Sequence, residues 1–295
     1  MSVLELYDDV LMLLALLVLH LEMTGEDDLS DAEDVDEDIG PTYEPDGFLD
    51  IFEGTEGDDS AIAVDGTPAT FFDLRAGNDS LEATEGDDLA YGGDGDDVLA
   101  MMGGNDQAAG GSGNDAIFGG SGNDAQWGDD GDDLLDGSRG ADVLFGGTGN
   151  DQIAGGADDD VIFGGAGDDI LSGDLISTSD NIGRGNDVLD GGAGDDLLML
   201  GDGDIGTGGG GDDQFRIYDQ TDPDDPVAHI TDFDVENDRL EVEYTPEDRT
   251  VPPPDVGVSY DTDTDLTRVT LGGSEVATLA GNIPLDAESV ALSEA

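Results

Sequence analysis

Between residues 99 and 198 an apolar side chain returns on a nine-residue beat. Leu99, Ile117, Leu135, Leu144, Ile153, Ile162, Leu171, Leu189 and Leu198 all fall on it. A helix would place its apolar residues three to four apart, so a spacing of nine points to one short strand and one turn per repeat. Side chains alternate along a strand, so the residue on the beat faces one way and its two neighbours the other. The pattern predicts a strand at repeat positions seven to nine, with position eight building a thin apolar core.

Between the beats lie turn residues. The cleanest copies are GGSGNDAIF (110–118), GGTGNDQIA (146–154) and GGAGDDILS (164–172), which give the consensus G-G-x-G-[N/D]-D-x-U-x with U apolar. Position six is Asp at 79, 88, 97, 106, 115, 124, 133, 142, 151, 160 and 169, and the phase resumes after an interruption at 173–184 with Asp187 and Asp196. Asp59 and Asp213 bracket the run out of strict phase. Two nonapeptides make one coil with two strands on opposite sheets. Coils stacked at ~4.8 Å give an all-β parallel roll roughly 30 Å long.

The rest of the chain divides around this roll. Residues 1–24 hold one apolar run, Val10 to Leu21, predicted as a short helix. About 12 residues are too few to span a bilayer, which takes roughly 20, so no transmembrane span is expected. Residues 25–53 read as an acidic linker, with no apolar period over 25–47. The roll is expected over 54–216, followed at 217–295 by a β-rich cap. Its strands are expected at Val227–Ile230, Leu240–Tyr244, Val256–Tyr260, Arg268–Leu271 and Val276–Leu279, with hairpin turns at Asp261–Asp265 and Gly272–Gly273.

Charge sharpens the picture. There are 75 acidic residues against 7 basic ones, all Arg, for a formal net charge of −68. Nucleic acid is excluded as a partner, because phosphate binding needs basic patches. Two carboxylates ~5 Å apart at an effective dielectric of about 20 repel by roughly 3 kcal/mol. Dozens of such contacts exceed the ~5–15 kcal/mol stability of an ordinary domain. Stacking places equivalent Asp side chains in columns, so the geometry demands a neutralising cation. A turn that bends its carbonyls inward and adds a carboxylate offers hard oxygen ligands, the set preferred by Ca²⁺. Zinc is disfavoured: there is no Cys, and the two His, His20 and His229, lie outside the repeats. Mg²⁺ keeps its waters too tightly to suit a carbonyl cage.

These repeats resemble the RTX (repeats-in-toxin, hemolysin-type) calcium-binding family. The tail segment AHITDFDVENDRLEV (228–242) resembles the stretch that follows such repeats in secreted bacterial proteins. The resemblance implies a right-handed parallel β-roll (β-solenoid) with several Ca²⁺ ions between loops. It also implies a secreted, extracellular protein exported by a type I system through an uncleaved C-terminal signal. The position-six carboxylates then serve as metal ligands: Asp79, Asp88, Asp97, Asp106, Asp115, Asp124, Asp133, Asp142, Asp151, Asp160, Asp169, Asp187, Asp196 and, after the run, Asp213. Met101–Met102, Ala83–Thr84, Asp129, Ser138 and Asp158 depart from the consensus, Gln126 occupies a core position, and Thr178 and Ile205 stand where Asp is expected. Sites beside them are expected to be weaker or empty.

One outer face is more apolar than the other. Position nine on one sheet carries Tyr91, Ala109, Trp127, Phe145 and Phe163, against Ala100, Phe118, Asp136, Ala154 and Ser172 on the opposite one. The Tyr91/Trp127/Phe145/Phe163 face is expected to be covered by the Val10–Leu21 helix, by the cap, or by a partner or second copy. No H-E-x-x-H or G-x-S-x-G is present, and no catalytic residues or organic cofactor are assigned. The reading is a secreted, non-catalytic protein that folds on binding Ca²⁺ outside the cell. A calcium-dependent adhesin or matrix component is the alternative, ahead of an enzyme fragment.

Overall fold

The computed structural model describes residues 50–63, 70–174, 185–218, 226–244 and 254–294. The Val10–Leu21 run, His20, the acidic stretch up to residue 49 and Thr178 lie outside the described residues.

The described residues are all-β, without helix. The strands that lead in are β1 (Asp50–Glu53), β2 (Ser60–Ile62), β3 (Thr70–Asp73), β4 (Ser80–Glu82), β5 (Leu89–Asp94) and β6 (Val98–Ala100). The central set is β7 (Gln107–Ser112), β8 (Ala116–Ser121), β9 (Ala125–Asp130), β10 (Leu134–Arg139), β11 (Val143–Thr148), β12 (Gln152–Ala157), β13 (Val161–Ala166) and β14 (Ile170–Asp174). After the interruption come β15 (Val188–Ala193), β16 (Leu197–Leu200), β17 (Ile205–Gly210) and β18 (Gln214–Ile217). The tail adds β19 (Ala228–Ile230), β20 (Arg239–Tyr244), β21 (Val256–Asp261), β22 (Leu266–Leu271), β23 (Ser274–Ala280) and β24 (Val290–Glu294).

Odd-numbered strands from β1 to β19 pair in parallel in one sheet, and even-numbered strands from β2 to β20 pair in parallel in the other. The chain therefore alternates between two sheets at every repeat, which makes a parallel β-solenoid. Register follows the repeat: Val143, Leu144 and Phe145 pair with Val161, Ile162 and Phe163. The position-eight residues Leu99, Ile117, Leu135, Leu144, Ile153, Ile162, Leu171, Leu189 and Leu198 are all fully buried in a single core cluster. Each contributes roughly 1.5–3 kcal/mol by leaving water.

Three features differ from the sequence expectation. Strands β7 to β13 are six residues long, not three, because they continue through positions one to three of the next loop. Position one thereby becomes an inward-facing position, normally glycine. Residues 50–53, expected as linker, form β1 and pair with β3. The tail extends both sheets: β19 pairs with β17 and β23, and β20 pairs with β18 and β24. β24 had no counterpart in the sequence reading. The remaining tail strands fall where alternation placed them. β21, β22 and β23 run antiparallel through turns that include Asp265 at φ 57° and Gly272–Gly273 at 62° and 97°.

The interruption leaves the register intact. Val161 pairs with Val188 and Ile170 with Leu197, a step of 27 residues in place of 18. One nonapeptide length is bypassed without changing which face any side chain takes. Among the departures from consensus, Arg75, Met102, Asp129 and Ser138 at position two and Asp158 at position four adopt φ of 71–80°. For residues with a Cβ this left-handed conformation costs about 1–2 kcal/mol each.

Candidate metal centre

Stacking brings the position-six aspartates into two columns, one along each edge of the solenoid. In each column the backbone N–H of one Asp donates to Oδ1 of the Asp one coil later. One column runs through Asp59, Asp79, Asp97, Asp115, Asp133, Asp151 and Asp169, with N···Oδ1 distances of 2.7–2.8 Å. It continues through Asp196 and Asp213 to Asp238. The other starts where Thr70 N–H meets Asp88 and passes through Asp106, Asp124, Asp142, Asp160 and Asp187 to Asp204. All fourteen aspartates singled out from the sequence sit in these columns, and thirteen of them were placed by the repeat phase alone.

The phase missed Asp204 and had placed Ile205 at position six. Ile205 instead pairs with Val188, a position-seven residue, so Asp204 takes the column position after a coil of 17 residues. The signal was G-D-G-D (201–204), a loop one residue short. Asp59, noted as out of phase and left out of the ligand set, and Asp238, which was missed, join the columns for a similar reason: their coils differ in length, yet Ser60 and Arg239 pair in register with Ser80 and Gln214.

The second carboxylate oxygen carries the chemistry. Oδ2 of Asp79, Asp97, Asp106, Asp115, Asp124, Asp133, Asp142, Asp151, Asp160, Asp169 and Asp196 is buried and has no hydrogen-bond partner. Nine of these atoms face the position-one glycine of their own loop; in the loops of Asp79 and Asp106 position one is Leu74 and Met101. A Cβ built on Gly92 would collide with Asp97 Oδ2 and stand 2.6 Å from the carbonyl oxygen of Gly110, one coil on. The same pair of oxygens recurs at Gly128 (Asp133 Oδ2, Gly146 O), Gly146 (Asp151 Oδ2, Gly164 O) and Gly164 (Asp169 Oδ2, Gly191 O). Glycine at position one is thus required less for its φ than for the empty space that a carboxylate and a carbonyl share.

Burial sets the protonation of these groups. Desolvation, partly offset by the accepted backbone N–H, raises Asp97, Asp124 and Asp133 to about 6. It raises Asp115, Asp151 and Asp196 to about 7 and Asp106 and Asp142 to about 8. Asp160 reaches about 9. Neighbouring carboxylates of the column add to most of these shifts. A buried carboxylate oxygen without a donor costs free energy unless it is protonated or meets a cation.

Among the described residues no three acidic or imidazole side chains gather around one point. Each loop offers one carboxylate oxygen, and backbone carbonyls must supply the remaining ligands. An all-oxygen set of this kind fits Ca²⁺, which takes six to eight oxygens, and does not fit Zn²⁺.

Outside the columns, position five forms a second ladder of opposite sense. Asn114 N–H donates to Asp96 Oδ1 (2.9 Å), Asp132 to Asn114 (3.1 Å) and Asn150 to Asp132 (2.8 Å). From Asp58 to Asp168 this edge alternates Asp and Asn, so no carboxylate lies directly above another. On the apolar face Trp127, Phe145 and Phe163 stack at 5.9 and 5.0 Å, with ring planes nearly parallel. Tyr91 meets Phe71 edge-on and is separated from that stack by Ala109.

Comparison with known proteins agrees with this geometry. The family model described as RTX calcium-binding nonapeptide repeat (4 copies) matches residues 75–108, 102–126, 127–162, 145–175 and 183–204. The chain has no match among the curated proteins. Residues 75–204 are RTX calcium-binding nonapeptide repeats, and the ligand of such a repeat array is a set of Ca²⁺ ions.

Proposed function

We propose that this is an exported, non-catalytic protein whose solenoid folds when its loops bind Ca²⁺. The supporting observation is the series of eleven buried Oδ2 atoms without a donor. In this reading Asp79, Asp97, Asp106, Asp115, Asp124, Asp133, Asp142, Asp151, Asp160, Asp169 and Asp196 each give one oxygen, and loop carbonyls such as Gly110 O and Gly146 O give others. Asp187 and Asp213 continue the same columns. Bound Ca²⁺ supplies two positive charges and six to eight coordination positions for oxygen.

The chain's own residues do the rest. Oδ1 of each Asp ties its loop to the coil before, so a carboxylate cannot leave its place without breaking the stack. With the carboxylates ionised and unneutralised, like charges along each column oppose stacking, which favours an open chain. Where free calcium is low the chain stays open, a form suited to passage through an export channel. At the millimolar calcium found outside cells the folded state is favoured by mass action. Secretion by a type I route rests on the likeness to RTX repeats. Among the described residues no helix is long and apolar enough to cross a membrane. Enzymatic activity is not assigned, because the paired acids are absorbed by the two ladders.

Far-UV circular dichroism on the full chain tests the proposal. Expected is little β-structure in chelator and a cooperative gain on adding Ca²⁺, with Mg²⁺ at equal concentration unable to replace it. A chain already fully folded in chelator would overturn the reading.

A further inference from the structure

The columns end in a way that their interiors do not. At the start of one column Asp59 Oδ2 accepts hydrogen bonds from Thr55 N–H (2.6 Å) and Thr55 Oγ1 (3.1 Å). At the start of the other, Asp88 Oδ2 accepts from Thr84 N–H (2.9 Å) and Thr84 Oγ1 (2.8 Å). Gly86 N–H in turn donates to Thr84 Oγ1 (3.1 Å), which directs the hydroxyl proton to Asp88. At the far ends Asp204 Oδ2 takes Gly201 N–H (2.7 Å) and Asp238 Oδ2 takes Asp234 N–H (2.7 Å). In every one of these four loops a donor from three or four residues earlier meets the oxygen left without a donor in eleven of the thirteen loops between.

We propose that Thr84, and Thr55 in the other column, stand in for the cation, so that Asp88 and Asp59 are not calcium ligands and the calcium run is bounded by hydrogen-bonded end loops. The inference rests on the reading of the open loops as calcium sites and specifies where that run stops. The hydrogen bonds carry it. Thr84 is buried and gives both of its donors to one oxygen, which leaves that oxygen saturated. Asp79 and Asp106, which follow the similarly short strands β3 and β6, have no such donor on Oδ2. A hydroxyl and an amide satisfy the carboxylate without a cation.

The test is a calcium count on the full chain by equilibrium dialysis with Ca²⁺, followed by metal analysis. Asp88→Asn should bind as many ions as the unaltered protein, whereas Asp115→Asn should lose one or bind it at least tenfold more weakly. Ala83→Gly combined with Thr84→Gly should bind one ion more. Loss of an ion from Asp88→Asn, or an unchanged count in a folded double variant, would overturn the inference. Should the double variant not fold, the Asp88→Asn and Asp115→Asn counts decide alone. If the unaltered chain binds no calcium, the proposed function itself fails, and that outcome is distinct from both.

Discussion

Asp88 and Asp115 occupy the same repeat position, lie equally deep, and clip the coil before them through the same oxygen. They differ in what meets the other oxygen. Asp88 Oδ2 holds two donors from Thr84, and Asp115 Oδ2 holds none. The difference extends to the coils around them. The lead-in strands β3, β4 and β6 span three or four residues, and the position one that follows them carries Leu74, Ala83 and Met101, all buried in the core. Strands β7 to β13 span six, and position one is glycine from Gly110 to Gly164. The lead-in coils bury apolar side chains at position one, while Asp79 and Asp106 there keep an Oδ2 without a donor. The central coils leave polar space that their own atoms cannot fill. The same nonapeptide can therefore be either a self-sufficient structural unit or a metal-dependent one, according to whether its loop brings donors to the Asp Oδ2.

Removing calcium should have the largest effect on this contrast. In chelator at pH 7.5, hydrogen exchange should rise by orders of magnitude across 107–200 and by less across 70–94. Equal loss in both regions would erase the distinction.

Acid should reverse much of that loss. An Asp that titrates higher in the fold than in the open chain binds protons preferentially in the fold. The metal-free roll is then most stable below about pH 4, the open-chain value for Asp, and weakens as pH rises through the range of about 6 to 9 set by Asp97 to Asp196. In chelator, β-structure measured by circular dichroism should be greater at pH 5 than at pH 8. For the same reason calcium binding near pH 7 should release protons, seen as a binding enthalpy that varies with the buffer. A metal-free chain equally unfolded at both pH values would contradict the burial of these groups.

Substitutions separate core from cradle. Leu144→Ala removes a fully buried side chain and should cost about 2–5 kcal/mol in saturating calcium, measured by denaturant unfolding. Gly146→Ala places a methyl against Asp151 Oδ2 and Gly164 O and should cost about 1–3 kcal/mol together with the calcium at that loop. The same methyl is already present at Ala83, so Gly146→Ala should bring a central loop closer to the lead-in kind. The smallest effect is expected at position two. Ser138→Gly relieves a φ of 74° and should stabilise by about 1 kcal/mol, offset in part by loss of the Ser138 Oγ to Asp136 bond.

Much of the site was legible in advance, and the residues show why. Position eight and position six repeat at fixed spacing, and a strand alternates faces whatever its surroundings. Leu144 could therefore be placed inside and Asp115 in a column from the sequence. Asp204 could not, because counting by nine fails once a loop loses a residue, whereas pairing of Ile205 with Val188 absorbs the deletion. Thr84 was marked only as a departure from consensus. That its hydroxyl faces Asp88 depends on where the shortened β4 leaves the chain.

By itself the sequence determined the repeat, the parallel all-β architecture, the buried row of aliphatic side chains and the oxygen chemistry of the loops, since each follows from local spacing and residue type. The tertiary structure decided which oxygens of each carboxylate are free, how far strands run into the loops, and how the tail joins both sheets. The stacking outcomes depend on contacts between residues 17 to 50 apart in the chain, and even the short-range bond of Thr84 to Asp88 forms only where the stacked coil places the loop.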